Sequence, residues 1–179
     1  MNLDHVFKKT KTALKKREST TTVPDGLLCR CSRCKKPILV QEVRDAYYIC
    51  PKCGGYFKVR AYERIRRVAD EGTFQESDRE LVGENPLGFE GYEEKLAAER
   101  LKTRMKEAIV TGTGSIDGIP AALGVMDSRF MMASMGWAVG EKLTRLIEKA
   151  TTENLPLILF TCSGGARMQE GIHSLMQMA

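Results

Sequence analysis

Apolar positions recur along this chain with different periods, and each period predicts a different kind of element. Residues 1–22 show no period and end on Ser19-Thr20-Thr21-Thr22, which predicts a disordered basic arm over 1–23. Pro24, Asp25 and Gly26 mark a turn. Short β-like stretches at Ile38–Val40, Tyr47–Ile49 and Tyr56–Val59 are set among cysteines and predict a small module over 24–60. Residues 61–71 place Ile65, Val68 and Ala69 on one helical face, with Gly72 as the stop. Gly83, Asn85, Pro86, Gly88 and Gly91 make 73–91 loop-rich, and Tyr92–Glu107 reads as a charged helix, so 61–107 forms a helical linker region.

After residue 107 the period shortens. Ala108–Ile116 and Ile119–Met126 read as strands, with Asp117-Gly118 as a hairpin turn between them. Trp137–Glu153 returns to helical spacing through Val139, Leu143, Leu146, Ile147 and Ala150. The run Leu155–Phe160 is continuously apolar, as in a strand buried on both faces. Ser163-Gly164-Gly165-Ala166-Arg167 follows it, and Met168–Met178 reads as a helix through Met168, Ile172, Leu175 and Met176. Strand, glycine turn and helix in that order predict an α/β layer over 108–179 with a mostly parallel sheet.

Composition narrows the class. Of 179 residues, 42% are apolar, enough for a core. No apolar run approaches the ~18 residues of a membrane span, and the N-terminus has no apolar signal region, so a cytoplasmic protein without membrane association is expected. The net charge of +5 is uneven: residues 1–60 hold 14 Lys/Arg against 5 Asp/Glu, leaving the remainder acidic. A basic module suits phosphate-bearing partners, either nucleic acid or a nucleotide-like cofactor.

Four of the six cysteines form Cys31-x2-Cys34 and Cys50-x2-Cys53, fifteen residues apart. Each turn can aim two thiolates at one ion, and four thiolates complete a closed tetrahedral zinc site of structural type. Reduced or redox-active thiols are the other reading. Cys29 stands too close to Cys31 for a knuckle and is read as a bystander. A ribbon of about 30 residues holds too little core to fold without metal.

The glycine turn at 163–167 exposes backbone N–H groups at a helix start, which suits a phosphate or a developing oxyanion. Taken alone it also fits a plain strand-to-helix connection. Its spacing is neither that of a P-loop nor that of a nucleophile elbow. His173 reads as a surface or packed residue, Cys162 as a packed core thiol, and the methionines around Gly136 as pocket filling. No triad and no pair of carboxylates is visible, so an enzyme here would work through backbone dipoles or through another chain.

These strings, CSRC-x15-CPKC, EAIVTGTGSIDG, VMDSRFMMASMGWAVGEK and LPLILFTCSGGARMQEGIHSLMQM, resemble the β-subunit family of bacterial and plastid acetyl-CoA carboxylase carboxyltransferases over nearly all of 24–179. The resemblance implies a zinc ribbon followed by the first part of a crotonase-like domain of repeated ββα units. It implies transfer of a carboxyl group from carboxybiotin, on a biotin carboxyl carrier protein, to acetyl-CoA, giving malonyl-CoA for fatty acid synthesis. Partners would be a carboxyltransferase α subunit, in an α2β2 assembly, and the ATP-using biotin carboxylase. The backbone of Gly164, Gly165 and Ala166 would form one half of a thioester oxyanion hole, with Arg167 anchoring the turn. Family members run on for roughly another hundred residues, so a fragment lacking the second Gly-Gly element, and inactive alone, is expected. Thr161-Cys162 departs from the usual small residues, and Ala133 and Trp137 from smaller ones. A zinc-ribbon nucleic-acid module and a carboxyltransferase for another acyl-CoA remain the alternatives.

Overall fold

The computed structural model describes residues 26–178; the predicted arm over 1–23, with His5, lies outside the described residues. The chain divides into two units between Tyr56 and Phe57.

In the first unit, β1 (Leu28–Arg30) pairs antiparallel with β2 (Pro37–Leu39), and α1 (Val40–Asp45) follows directly. The first Cys-x2-Cys turn is the tip of that hairpin. The second is closed by an Ile49–Tyr56 bridge. The residues between the two turns thus form a strand and a short helix, where the sequence suggests β-like stretches at Ile38–Val40 and Tyr47–Ile49. Left-handed backbone at Tyr47 and Tyr48 interrupts the β-like stretch there.

The second unit begins with α2 (Ala61–Val68), β3 (Gln75–Ser77) and α3 (Tyr92–Thr103). Then come β4 (Ile109–Ile116), β5 (Ile119–Met126), α4 (Trp137–Thr152), β6 (Leu157–Phe160) and α5 (Ile172–Met176). The hairpin turn is built as expected, since Asp117 and Gly118 both adopt positive φ, the condition for a two-residue type I′ loop. The Asp70 carboxylate accepts both of their N–H groups, at 3.0 and 2.8 Å.

The sheet runs β3-β4-β5-β6, and only β5–β6 is parallel. The expected mostly parallel sheet is therefore corrected to a mixed one: the β4–β5 hairpin and the crossover helix α4 form a single ββα unit, and β6 adds the one parallel strand. The strand covered on both faces is β5, with six consecutive buried residues under α2 and α4. β6 is instead an edge strand whose Leu157 and Leu159 stay exposed, so a continuous apolar run did not mean burial on both sides. The predicted helix 168–178 is broken. A 3-10 turn, Met168–Glu170, ends at Gly171, whose φ of 54° stops it before α5.

The core of this unit joins Tyr92, Leu96, Ile109, Val110, Val125, Phe130 and Val139. β3 was not foreseen, because its three polar residues carry no β signal. It fits against β4 where Gly112 presents no side chain. A Cβ on Gly112 would collide with the Gln75 carbonyl oxygen and come within 2.7 Å of Phe74. Gly112→Ala is therefore expected to destabilise the unit by about 1–3 kcal/mol. Urea unfolding reads this as a lower midpoint, and an unchanged midpoint would show that β3 does not hold the sheet edge.

Candidate functional site

The sulfurs of Cys31, Cys34, Cys50 and Cys53 all lie within 4.8 Å of one another. Cys31 and Cys53 approach to 3.7 Å, and Cys34 and Cys50 to 3.9 Å. Cys29 faces elsewhere, with its thiol donating to the Ile38 carbonyl at 3.6 Å. The Cys34 N–H, ahead of the Arg33 N–H, lowers the Cys31 thiol to about 6. The Gly55 N–H acts the same way on Cys53, yet desolvation and the neighbouring thiols push that group up to about 11. Four sulfurs this close cannot all carry charge without a cation among them. The donor set suits a soft, tetrahedral, closed metal site.

In the second unit, the 163–167 turn lies against residues 131–136. Met135 N–H donates to the Gly165 carbonyl at 2.8 Å, and Arg167 N–H donates to the Met135 carbonyl at 2.9 Å. A trans peptide points its C=O and N–H in opposite directions. With the Gly165 oxygen held by Met135, the Ala166 N–H of the same peptide must point away, and Ala166 lines an open cleft. Gly165 supplies a φ of +96°, and Gly164 the room to approach the Met132 carbonyl, 3.2 Å from where a Cβ would sit. The turn does not open an α-helix, as expected from sequence, but the 3-10 turn. The aim of the N–H comes from strand-like pairing and not from a helix dipole. The facing loop is strained: Met131, Met132 and Ala133 have φ of 43°, 56° and 54°, which costs of order 1–3 kcal/mol per residue.

Beneath the turn lies a buried ionic network. Arg167 is fully buried and forks onto Glu107, with Nη2–Oε1 at 2.6 Å and Nη1–Oε2 at 3.1 Å. Its Nη2 also donates to the Ser134 carbonyl at 2.7 Å and its Nε to the Ser134 hydroxyl at 3.2 Å. Glu107 accepts further from the N–H groups of Gly83 and Ala108. Glu170 accepts from the Tyr92 hydroxyl and from the Trp137 N–H at the start of α4, both at 2.6 Å. Burial opposes the Arg167 charge, but Glu107 outweighs it and holds the guanidinium above its ordinary range. Burial, then the Glu170 carboxylate, raise the Tyr92 hydroxyl, so it stays a donor. Lys142 is buried on α4, its affinity for a proton lowered by burial and partly restored by Glu107.

The cleft has a volume of about 790 Å³. Gly164 and Ala166 line it with Lys58, Arg60, Lys95, Lys102, Arg129 and Arg167, against one carboxylate, Glu99. Asp127 holds Arg129 by a bond of 2.6 Å and caps α2 through the Ala61 N–H at 2.9 Å. Such a surface can take a polyanion and hold one oxygen at the turn. Cys162 is exposed, not the packed thiol expected from an apolar strand, because β6 is an edge. His173 is exposed on α5, as read.

Sequence reasoning found the cysteines, the turn and the anchoring role of Arg167, and missed the rest of the network. Glu107 and Glu170 are 63 positions apart in the chain and meet through Arg167 as a buried structural network, not as a general acid/base pair. Two signals were available: Glu170 stands at i+3 from Arg167, and Lys142 interrupts the apolar face of α4 between Val139 and Leu146.

Residues 58–179 match the model of the carboxyl transferase domain family. The chain is 53% identical over 174 residues to the acetyl-coenzyme A carboxylase carboxyl transferase subunit beta of Carboxydothermus hydrogenoformans, covering 97% of this chain and 62% of that protein. It is 55% identical over 157 residues to the beta/alpha protein of that name from Natranaerobius thermophilus, covering 88% of this chain and 26% of that one. The chain thus spans less than two thirds of the length of these relatives. A crystal structure of transcarboxylase 12S with methylmalonyl-coenzyme A bound superposes with a TM-score of 0.59 at 29% identity, over 68% of this chain and 22% of that one.

Proposed function

Because this chain belongs to the carboxyl transferase family, we propose that it acts as the β subunit of an acetyl-CoA carboxylase carboxyltransferase. The observation that carries this reading is the Ala166 N–H, turned away from Met135 by the Gly165–Met135 bond in a residue that lines a cation-rich cleft. The crotonase-like fold, of which β4, β5 and α4 form one ββα unit, supports it.

The substrate is acetyl-CoA and the product malonyl-CoA. Lys58, Arg60, Lys95, Lys102 and Arg129 attract the phosphates of coenzyme A. The Ala166 N–H, with Gly164 and Gly165 shaping its turn, hydrogen-bonds the thioester oxygen as charge develops there on loss of a methyl proton. Carboxybiotin on the carrier protein would supply both the carboxyl group and, after giving it up, the base for the methyl proton, so this chain need offer no side-chain base. The methyl carbon then bonds to carbon dioxide. What this chain contributes is orientation and oxyanion stabilisation.

Cys31, Cys34, Cys50 and Cys53 hold one zinc ion in a structural role. An α subunit and the carrier protein complete the site, and biotin carboxylase recharges the carrier in the cytoplasm. The beta/alpha relative, which joins both subunits in one chain, supports the α partner.

The test is malonyl-CoA decarboxylation in the presence of free biotin, with the protein expressed from its gene together with its α partner. Turnover is expected, and none would overturn the reading. A higher kcat/KM for a larger acyl-CoA than for acetyl-CoA would shift the substrate and leave the reaction class. Lys58→Glu with Arg60→Glu is expected to raise KM for the acyl-CoA about tenfold with kcat little changed, as for lost uniform binding. An unaltered KM would remove these two residues from the phosphate site.

A further inference from the structure

Tyr92 and Glu107 fall in a stretch that reads as linker in the sequence, yet both are buried beneath the glycine turn. Glu107 grips both arms of the Arg167 guanidinium, at 2.6 and 3.1 Å, and is fixed in turn by the N–H groups of Gly83 and Ala108, at 3.2 and 2.8 Å. Only glycine allows this approach: a Cβ at position 83 would stand 2.8 Å from the Glu107 carboxylate. Tyr92 acts from the other side. Its hydroxyl donates to Glu170 at 2.6 Å and lies 3.4 Å from the same guanidinium. Glu170 Oε1 is also 3.4 Å from Arg167, so that the two carboxylates compete for one cation and Tyr92 occupies the oxygen that would otherwise draw it away.

Arg167 transmits this balance to the reacting position. It follows Ala166 in the chain, its side chain holds Ser134 by two bonds, and its N–H clasps Met135, the residue that turns the Gly165–Ala166 peptide. We propose that Tyr92 and Glu107 are positioning residues for carboxyl transfer, which through Arg167 keep the Ala166 N–H aligned with the thioester oxygen. This rests on the carboxyltransferase reading and adds to it two residues outside the glycine turn. Loss of the Tyr92 hydroxyl leaves Glu170 Oε1 with Arg167 alone, and the guanidinium swings from Glu107 toward it. The turn tilts slightly, while the other cations lining the cleft, Lys58, Arg60, Lys95, Lys102 and Arg129, stay where they are.

The test uses the protein assembled with its α partner and compares wild type, Tyr92→Phe, the isosteric Glu107→Gln and the double variant. Misplacing a catalytic dipole by about 1 Å can cost on the order of 10²-fold. Tyr92→Phe is accordingly expected to lower kcat about tenfold and Glu107→Gln about a hundredfold, with KM for the acyl-CoA within about twofold. Because both act through one guanidinium, the double variant should fall short of the product of the single losses. Glu107→Gln retains the shape and one acceptor, so it supplies the result if Tyr92→Phe folds poorly. Variants that lose stability with kcat per folded molecule unchanged overturn the proposal, as does a rise in KM that matches the loss of kcat. Multiplicative losses would also overturn it, since they would mean independent sites. A wild type without turnover overturns the carboxyltransferase reading and this inference together; an active wild type beside an unaffected Tyr92→Phe and Glu107→Gln overturns only the inference.

Discussion

Replacing Arg167 with methionine is expected to remove about 3–5 kcal/mol of folding stability, the cost of leaving a buried charge without its partner. Methionine fills a similar volume, so the loss would not come from a cavity. Glu107 and Glu170 are both buried, at 1% exposure each, and would have to accept protons or draw in water. Lys142 gives only partial relief, since its charge is itself disfavoured by burial. Small domains have about 5–15 kcal/mol to lose, so a large share of the chain would be unfolded or degraded in a cell. Urea unfolding of the purified variant measures this directly. Adding Glu107→Gln and Glu170→Gln should recover part of the loss, because the stranded charges are then gone. A single variant that loses less than about 1 kcal/mol would mean that the network is not ionised as described.

Stripping the metal is expected to unfold the first unit and leave the second folded. β1 and β2 have three residues each and α1 has six, and within this unit only Cys31, Ile38, Val43 and Cys50 among the described hydrophobic residues are buried. That is far too little apolar surface to offset the ordering of about thirty residues. Structural zinc supplies roughly 10–16 kcal/mol in peptides of comparable size, so a zinc ion held as proposed by the four cysteines would decide whether the unit folds. A strong chelator, or Cys50→Ser, should reduce zinc content from one ion per chain toward none. Amide protection should be lost up to Tyr56 and kept beyond Phe57. Protection that survives in the first unit after the metal has gone would show a fold held by its side chains alone.

What could be read in the sequence was what short-range pattern determines. The β4–β5 hairpin was legible because Asp117-Gly118 is one of few dipeptides that fit its loop, and the four cysteines because ligand spacing follows from knuckle geometry. α4 was legible from period alone. Sheet order was not, because pairing of β3 with β4 depends on Gly112 leaving space and not on any β tendency in Gln75–Ser77. The apolar run ending at Phe160 misled for a related reason: hydrophobicity shows what a strand can bury, but neighbours decide what it does bury. The glycine turn was found for its composition and explained by the wrong force. Its N–H is aimed by a peptide plane pinned to Met135, a contact 30 residues away in the chain that no local pattern encodes. The network under it was invisible for the same reason, since a buried charge looks like a surface charge until its partner is known.

The ion pairs around Arg167 also bear on how this chain can change over generations. Glu107, Arg167 and Glu170 are three separate codons, and Glu107 and Arg167 lie 60 positions apart. Loss of Arg167 alone strands two buried carboxylates, whereas loss of all three strands none. A change at Arg167 alone is therefore expected to be costlier than one made together with changes at both carboxylates.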